Sequence, residues 1–378
     1  MRIEGPQELV QHVQQAGMCI SCGACLEICP YFNHYKGRTL QVFPCDLKRG
    51  RCYAHCPKIE VDLDKLSRRL RGTTYQGLDL GVYRSILACR AGAQMPKGPY
   101  QGGGSASALM AFALASGAID AAVLTDQKGG WPNPRVVTNE QEVTTCALSK
   151  FTAAPTLAAV NRAVRQGYQR LGVVGTPCQI TALAQMKGNP LEIDDFHDPV
   201  ALSVGLFCNW ALEPRSLLAF LSPLLDISRV KSMDIPPPPA DVFIVKLEDS
   251  VLEIPLKEIR HLIPTTCFIC PDLASEWADL SIGMFEGRVG WNTLIVRTDA
   301  GESIVRQAEN AGYLEIESMP QENVAHLSGA GRAKKARAFR TALRQNAVNC
   351  DKGRSALRVP REVIKRLTTT QKSKGCPQ

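Results

Sequence analysis

No stretch of this 378-residue sequence is long and apolar enough to cross a bilayer. The most apolar run, Ala106 to Leu124, is interrupted by Ser107, Ser116, Gly117 and Asp120. It reads as a core helix followed by a strand. The opening residues, MRIEGPQELVQHVQQAG, lack the apolar segment of a secretory signal, so a cytoplasmic location is expected. A disulfide framework is then not expected either, and the 15 cysteines call for metal or redox chemistry instead. Excess charge is also missing from most of the chain. The formal net charge is +8, but residues 331–378 carry fourteen Lys/Arg against Asp351 and Glu362, a local +12. The preceding 330 residues therefore sum to −4, a mildly acidic body with a basic tail. At 45% hydrophobic and 21% charged, the composition is that of a globular chain with room for two domains.

The cysteines are clustered. Seven lie between Cys19 and Cys56, and the run Cys19, Cys22, Cys25, Cys29-Pro30 has the spacing C-x2-C-x2-C-x3-C-P that bacterial ferredoxins use for iron–sulfur clusters. Gly23 lets the backbone approach closely and Pro30 turns the chain away. Structural zinc is the competing reading, although zinc usually pairs one C-x2-C with a distant second. A second half-motif follows, Cys45, Cys52 and Cys56-Pro57, with Arg49 where a further ligand would stand. In two-cluster ferredoxins the fourth cysteine of each run serves the other cluster. That rule assigns Cys19, Cys22, Cys25 and Cys56 to one cluster. A second would take Cys29, Cys45, Cys52 and one further ligand, for which His34, His55, Asp46 or a distant cysteine are candidates. The alternative is a single cluster with the remaining thiols structural.

Beyond a charged, helical linker (58–71), a larger α/β unit begins near Tyr75. Its first strand covers Val82 to Cys89. Gln101-Gly102-Gly103-Gly104-Ser105 then opens an Ala/Leu-rich helix, and such a glycine-rich helix start suits a phosphate or is simply a tight turn. Two further strands, 171–175 and 200–208, have parallel-sheet character. The first runs into Thr176-Pro177-Cys178-Gln179, where Cys178 falls in a first helical turn and a lowered thiol pKa is expected. The second ends at Cys208. The proline run 236–239 marks a boundary, followed by a small antiparallel unit and a C-x2-C pair, Cys267 and Cys270. Residues 279–287 and 290–298 read as loop and strand. Cys178, Cys208, Cys267 and Cys270 could hold one more cluster, although sequence spacing does not bring them together. The segment 333–344 reads as a basic helix, either solvated or a docking arm for an acidic partner.

Taken in order, the ferredoxin run, Gln101-Gly-Gly-Gly, Ser149-Lys150-Phe, Gly175-Thr-Pro-Cys-Gln179, Gly205-Leu-Phe-Cys208, Cys267-x2-Cys270-Pro-Asp272, Ala278-Asp-Leu-Ser-Ile-Gly283 and Val296-Arg-Thr298 resemble the coenzyme F420 hydrogenase/dehydrogenase beta-subunit family. The resemblance implies an α/β fold: a mixed-sheet FAD-binding domain (75–300), an N-terminal ferredoxin-like 2[4Fe-4S] module (1–72), a small antiparallel β unit and a C-terminal extension (301–378). It implies an FAD- and iron–sulfur-dependent oxidoreductase subunit with two or three [4Fe-4S] clusters. Such a subunit moves electrons between a hydride carrier, coenzyme F420 or NAD(P)H, and a redox partner. That partner would be a hydrogenase, formate dehydrogenase or heterodisulfide-reductase-like subunit, or ferredoxin. By motif, Gly102, Gly103, Gly104 and Ser105 would approach the FAD phosphates, with Ser149, Lys150, Thr176 and Gln179 counted among the cofactor-binding residues. Cys178, Cys208, Cys267 and Cys270 would hold the cluster nearest the flavin. The alternative is a ferredoxin-dependent reductase of a chlorophyll-type pigment or another bulky acceptor. Nucleic acid is not an expected partner.

Overall fold

The computed structural model describes residues 3–237, 239–350 and 356–369. Pro238 of the proline run and residues 351–355 and 370–378 of the basic tail lie outside the described residues. From residue 85 the elements run β1 (Ser85–Ala91), α1 (Ser105–Ala115), β2 (Ala121–Lys128), β3 (Trp131–Val137), α2 (Thr156–Arg165), β4 (Leu171–Gly175), α3 (Pro177–Met186) and β5 (Val200–Leu206). After the small sheet come β6 (Leu280–Met284), β7 (Asn292–Val296), α4 (Asp299–Asn310), β8 (Leu314–Ser318) and α5 (Gln321–Arg344).

The eight strands form one mixed sheet in the order β8-β1-β7-β6-β5-β4-β2-β3. The central strands β2, β4, β5 and β6 are parallel, flanked by antiparallel neighbours. Parallel strands covered on both faces must be apolar throughout. Ala121, Ala122, Val123, Leu171, Val173 and Val204 are accordingly fully buried. Helix α1 is apolar on every side because it sits inside the core, with Ala108, Leu109, Met110 and Ala113 inaccessible. Residues 279–287, read from sequence as a loop, contain β6, which pairs with β5 in parallel and with β7 antiparallel. Beyond residue 300, β8 pairs with β1, so the large sheet takes in part of the C-terminal segment. A three-stranded antiparallel sheet, Ser232–Asp234, Val242–Lys246 and Val251–Pro255, has its own core around Phe243, Val245, Leu217 and Ile259.

The N-terminal module is irregular. A helical turn (Pro6–Leu9) continues as a π-helical stretch, Val10–Gln14. A hairpin pairs Phe32–Tyr35 with Arg38–Gln41. Three contacts seat the first cysteine run on α2. Leu157 N–H donates to the Cys22 carbonyl (2.9 Å). Asn161 Nδ2 donates to Ala24 O (3.3 Å) and Leu26 O (2.7 Å). Gly23 has φ +89°, and a Cβ there would stand 2.6 Å from Ala158 N. The linker helix, Leu63–Arg71, is capped by Asp62 and ends at Gly72 (φ +69°). Val61–Asp62 pairs in parallel with Leu357–Arg358, so the linker and the tail share a small sheet.

Helix α5 corrects the reading of the segment 333–344 as a solvated helix. Lys334, Lys335, Ala336, Phe339 and Ala342 are buried, and Phe339 packs in the same core as Leu63, Leu66 and Trp277. Counting cations measures solubility, whereas the apolar residues among them decide which face turns inward.

Candidate site at the sheet edge

Strands β4 and β5 are adjacent and parallel, so their C-terminal ends lie on one edge, where open α/β sheets bind ligands. Cys178 follows β4 in the first turn of α3. Thr176 caps that helix through a capping box with Gln179, and Pro177 occupies the first turn. The Gln179 side chain is fully engaged within the protein. Its Oε1 accepts from Thr176 N (2.8 Å) and Thr176 Oγ1 (3.1 Å). Its Nε2 donates to Ala154 O (2.9 Å) and Thr156 Oγ1 (3.0 Å). Cys208 follows β5, its N–H bonded to Leu273 O (2.9 Å). Cys267 and Cys270 sit in and just after a 3-10 stretch, Thr265–Ile269. Asp272 folds the chain beyond them by accepting from Ala274 N (3.0 Å) and Glu276 N (2.9 Å).

These four thiols are mutual electrostatic neighbours. Burial pushes Cys178 up to about 11, opposed by Lys58 and reinforced by Cys270 and Cys267. Cys208 is raised by burial, opposed by Lys334, and raised further by Cys178, Cys267 and Cys270. Cys267 is raised by burial and eased by Lys58 and Lys334. The lowered pKa expected for Cys178 is therefore overturned. Burial outweighs a helix N-terminus when the thiol is enclosed. Lys58, Cys178 and Cys270 line one cavity of about 40 Å³.

The N-terminal thiols fall into two further groups. Cys22 is raised by burial first, then by Cys56, with smaller effects from Cys178 and Cys19. Cys25 is raised by burial and by Cys22, Cys56, Cys19 and Cys52. Burial pushes Cys56 up to about 12, with Cys19 adding to it. Burial pushes Cys52 up to about 11, with Cys29 and Cys45 adding to it. Cys19, Cys22, Cys25 and Cys56 thus form one neighbourhood, and Cys29, Cys45 and Cys52 another. Cys22 feels Cys178 and Cys25 feels Cys52, so the three groups form a continuous series.

Among the fourth-ligand candidates, His34 Nδ1 lies 3.4 Å from Thr39 Oγ1 and Asp46 is exposed. His55 is buried with an unpartnered Nδ1, and burial brings its pKa down to about 4. Among the described residues no three Cys, His, Asp or Glu side chains converge tightly enough for one metal ion. The all-thiol donor sets fit iron–sulfur clusters.

The glycine-rich turn has Gly102 at φ +61° and Gly104 at φ +75°. Two of its amides are already engaged. Gly103 N–H and Ser105 N–H donate to Asn292 Oδ1 (2.9 and 3.3 Å), and Ser105 Oγ donates to the same oxygen (3.0 Å). Ser105 is fully buried and braces the turn from inside. Gln101 joins this turn to the other expected cofactor residues, since its Oε1 accepts from Ser149 N (3.4 Å) and its Nε2 bonds Asp234. Lys150, flanked by Leu148 (φ +74°) and Phe151 (φ +55°), donates to Ala147 O (2.6 Å). Its pKa is lowered by burial, which Asp126 and Cys146 oppose. A glycine turn that opens a helix with no acidic residue in its first turn fits an anionic cofactor such as FAD, and the Ser149–Gln101 bond ties the Lys150 segment to that turn. A cavity of about 540 Å³ lies elsewhere, between the N-terminal segment and the linker helix, and holds none of the expected cofactor residues.

Sequence reasoning missed Asn292, Lys58 and Lys334. Arg297 was quoted only as part of a motif. It is buried and donates to Leu80 O, Val82 O, Ala274 O (each 2.9 Å) and Ser281 Oγ (2.8 Å), fixing the loop after Cys270.

The family profiles for the coenzyme F420 hydrogenase/dehydrogenase beta subunit match this chain, the N-terminal one over residues 87–161 and the C-terminal one over 168–322. The beta subunit of coenzyme F420 hydrogenase from Methanothermobacter thermautotrophicus is 34% identical over 247 residues, 64% of this chain and 87% of that subunit. The coenzyme F420-dependent sulfite reductase of Methanocaldococcus jannaschii is 29% identical over 82% of this chain, which spans half of that enzyme's length. A chain of the F420-reducing [NiFe] hydrogenase complex from Methanosarcina barkeri superposes with a TM-score of 0.65 at 27% identity. The match covers 70% of this chain and 93% of that one.

Proposed function

The chain belongs to the coenzyme F420 hydrogenase/dehydrogenase beta-subunit family, and on that premise we propose that it is an iron–sulfur flavoprotein subunit. It exchanges electrons between a hydride carrier, coenzyme F420 in the first instance, and a partner redox enzyme. The observation that carries this reading is the unbroken series of thiol groups. Cys29/Cys45/Cys52 neighbour Cys19/Cys22/Cys25/Cys56, and these neighbour Cys178/Cys208/Cys267/Cys270 at the sheet edge.

In this reading Gly102, Gly104 and Lys150 would hold the FAD phosphates, while Asn292 ties down Gly103 and Ser105 and keeps the turn rigid. FAD, when bound, supplies the exchange between a two-electron hydride and single electrons. The remaining work belongs to the chain. The Thr176–Gln179 bonds start the helix that carries Cys178, the pairing of β4 with β5 places that start, and Asp272 and Arg297 fix the loop carrying Cys270. The enclosing core keeps water from the thiols. His55, whose buried Nδ1 has no partner, is the candidate fourth donor for the Cys29/Cys45/Cys52 group that this reading prefers to His34, Asp46 or a distant cysteine. The named relatives include a hydrogenase subunit and a sulfite reductase, which favours a partner that exchanges electrons over a self-contained pigment reductase.

The test is anaerobic purification followed by iron and flavin quantitation and reduction with F420H2 against NADPH. Protein with FAD, iron at the three thiol groups and a visible spectrum bleached by F420H2 supports the proposal. A folded, colourless, iron-free protein sinks it.

A further inference from the structure

Among the described residues, two buried lysines pair with no carboxylate. Lys58 is 9% exposed and its Nζ donates to Thr266 O (3.3 Å). Lys334 is 3% exposed and its Nζ donates to Cys208 O and to Asp272 O (2.8 Å). Among the described residues neither makes an ion pair, whereas the adjacent Lys335 pairs with buried Glu276. A buried ammonium held only by backbone carbonyls is expensive unless an anion lies close by.

The groups around both lysines point to that anion. Thr266 precedes Cys267, Cys208 is itself a member of the sheet-edge quartet, and Asp272 is two residues beyond Cys270. Lys58 is two residues beyond Cys56 and also lines the cavity shared by Cys178 and Cys270. The two lysines come from opposite ends of the chain. Lys58 follows the N-terminal cysteine module. Lys334 comes from α5, beyond the last family-matched residue, 322.

We infer that Lys58 and Lys334 are the counter-charges of the Cys178/Cys208/Cys267/Cys270 thiolates, and that Lys58 is shared with Cys56, so that one buried cation serves two neighbouring thiol groups. The inference rests on the reading of those groups as cluster ligands. Both lysines ease the burial penalty on the thiolates nearest them: Cys56, Cys178 and Cys267 for Lys58, and Cys208 and Cys267 for Lys334. Each one-electron reduction adds one negative charge to a thiolate-bound group. A fixed cation in a dry site stabilises the more negative form and raises its potential. Lys334 would raise one potential. Lys58 would raise two, and so keep the two groups in step as electrons pass between them.

The experiment is an anaerobic redox titration of the full chain, followed by EPR and absorbance, with iron counted in every sample. Lys334→Gln keeps a donor for the Cys208 and Asp272 carbonyls while removing the charge, and Lys334→Arg keeps the charge. Lys58→Gln does the same for the shared position. Lys334→Gln is expected to lower one midpoint so that the reduced-to-oxidised ratio at fixed potential falls about tenfold, which is 59 mV for one electron. Lys58→Gln should lower two midpoints, and Lys334→Arg should stay near wild type. Full iron with unmoved midpoints in both Gln variants overturns the inference alone. An equal shift in Lys334→Gln and Lys334→Arg also overturns it, since geometry rather than charge would then be responsible. Wild-type protein without iron at the quartet overturns the functional reading together with it.

Discussion

The sheet-edge thiols and the N-terminal thiols are built in opposite ways. Cys19, Cys22, Cys25 and Cys29 are brought together by a few residues of irregular backbone, with Ser21 (φ +51°), Gly23 (φ +89°) and Glu27 (φ +63°) in left-handed conformations. Cys178, Cys208, Cys267 and Cys270 are brought together by the fold: two parallel strands, a capped helix and a loop tied by Asp272 and Arg297. The family profiles match only the region that holds the second set. Local geometry can be written into spacing, so the first set is easy to read and easy to rearrange. A set spread over some ninety residues depends on a whole core, and a change far from the thiols can reach it.

The largest expected effect separates the two sets directly. Cys208→Ser should remove the quartet's iron, about four atoms per chain, and leave the N-terminal iron in place. Cys56→Ser should do the reverse, and by taking the fourth ligand from Cys19, Cys22 and Cys25 it tests the pairing of distant ligands. Iron assay with EPR reads both. If Cys56→Ser keeps its full iron, Cys29 completes that group and the two runs do not exchange ligands.

Next in size is the frame beneath the quartet. Lys335 and Glu276 form an ion pair in which both side chains are inaccessible. Burial raises the Glu276 pKa, and Lys335 opposes that rise. Lys335→Met leaves a buried carboxyl unpaired and should cost about 3–5 kcal/mol in denaturant unfolding. Pairing it with Glu276→Leu should recover much of that loss. A cost below about 1 kcal/mol would mean that α5 is not part of the frame.

Gly23→Ala tests the other side of the comparison. The substitution forces a Cβ against the backbone of α2 at a positive φ, at a cost of about 1–3 kcal/mol. Iron should be lost from the Cys19/Cys22/Cys25/Cys56 group while the quartet is retained. Loss from both groups at once would show that the module and the sheet fold as one unit.

This contrast also explains what could be read in advance. The ferredoxin spacing, the helix start at Pro177, the parallel strands and the small antiparallel unit are local patterns, and all are legible. Asn292, Lys58 and Lys334 carry no local pattern. Asn292 acts on a turn 187 residues away at Ser105, and Lys334 acts on a carbonyl 126 residues away at Cys208. The glycine turn illustrates the same limit. Its spacing suggests four donors for a phosphate, but the amides of Gly103 and Ser105 are bound to Asn292, which only the pairing of β7 with β1 brings within reach. Helix α5 misleads for a related reason. Its charge count describes the exposed face, while Phe339, the Lys335–Glu276 pair and the bonds of Lys334 to the Cys208 and Asp272 carbonyls decide its position.

The smallest expected effect is the most discriminating. Thr176 is the N-cap residue of α3, and its hydroxyl donates to Gln179 Oε1 (3.1 Å) and lies 3.3 Å from Cys178 Sγ. Thr176→Val keeps the shape and removes the hydroxyl with its bond to Gln179, and loss of one such hydrogen bond costs about 1 kcal/mol, within a range of roughly 0.5–1.5. If the quartet is held by the fold, that local loss should lower the unfolding midpoint slightly and leave the iron count at the wild-type value, with Thr176→Ser restoring the midpoint. The remaining constraints on Cys178 are sufficient for this: Gln179 still bonds Ala154 O and Thr156 Oγ1, and β4 still pairs with β5. If Thr176→Val instead empties the quartet of iron, then a single cap fixes Cys178, and the sheet-edge site is as locally determined as the N-terminal run.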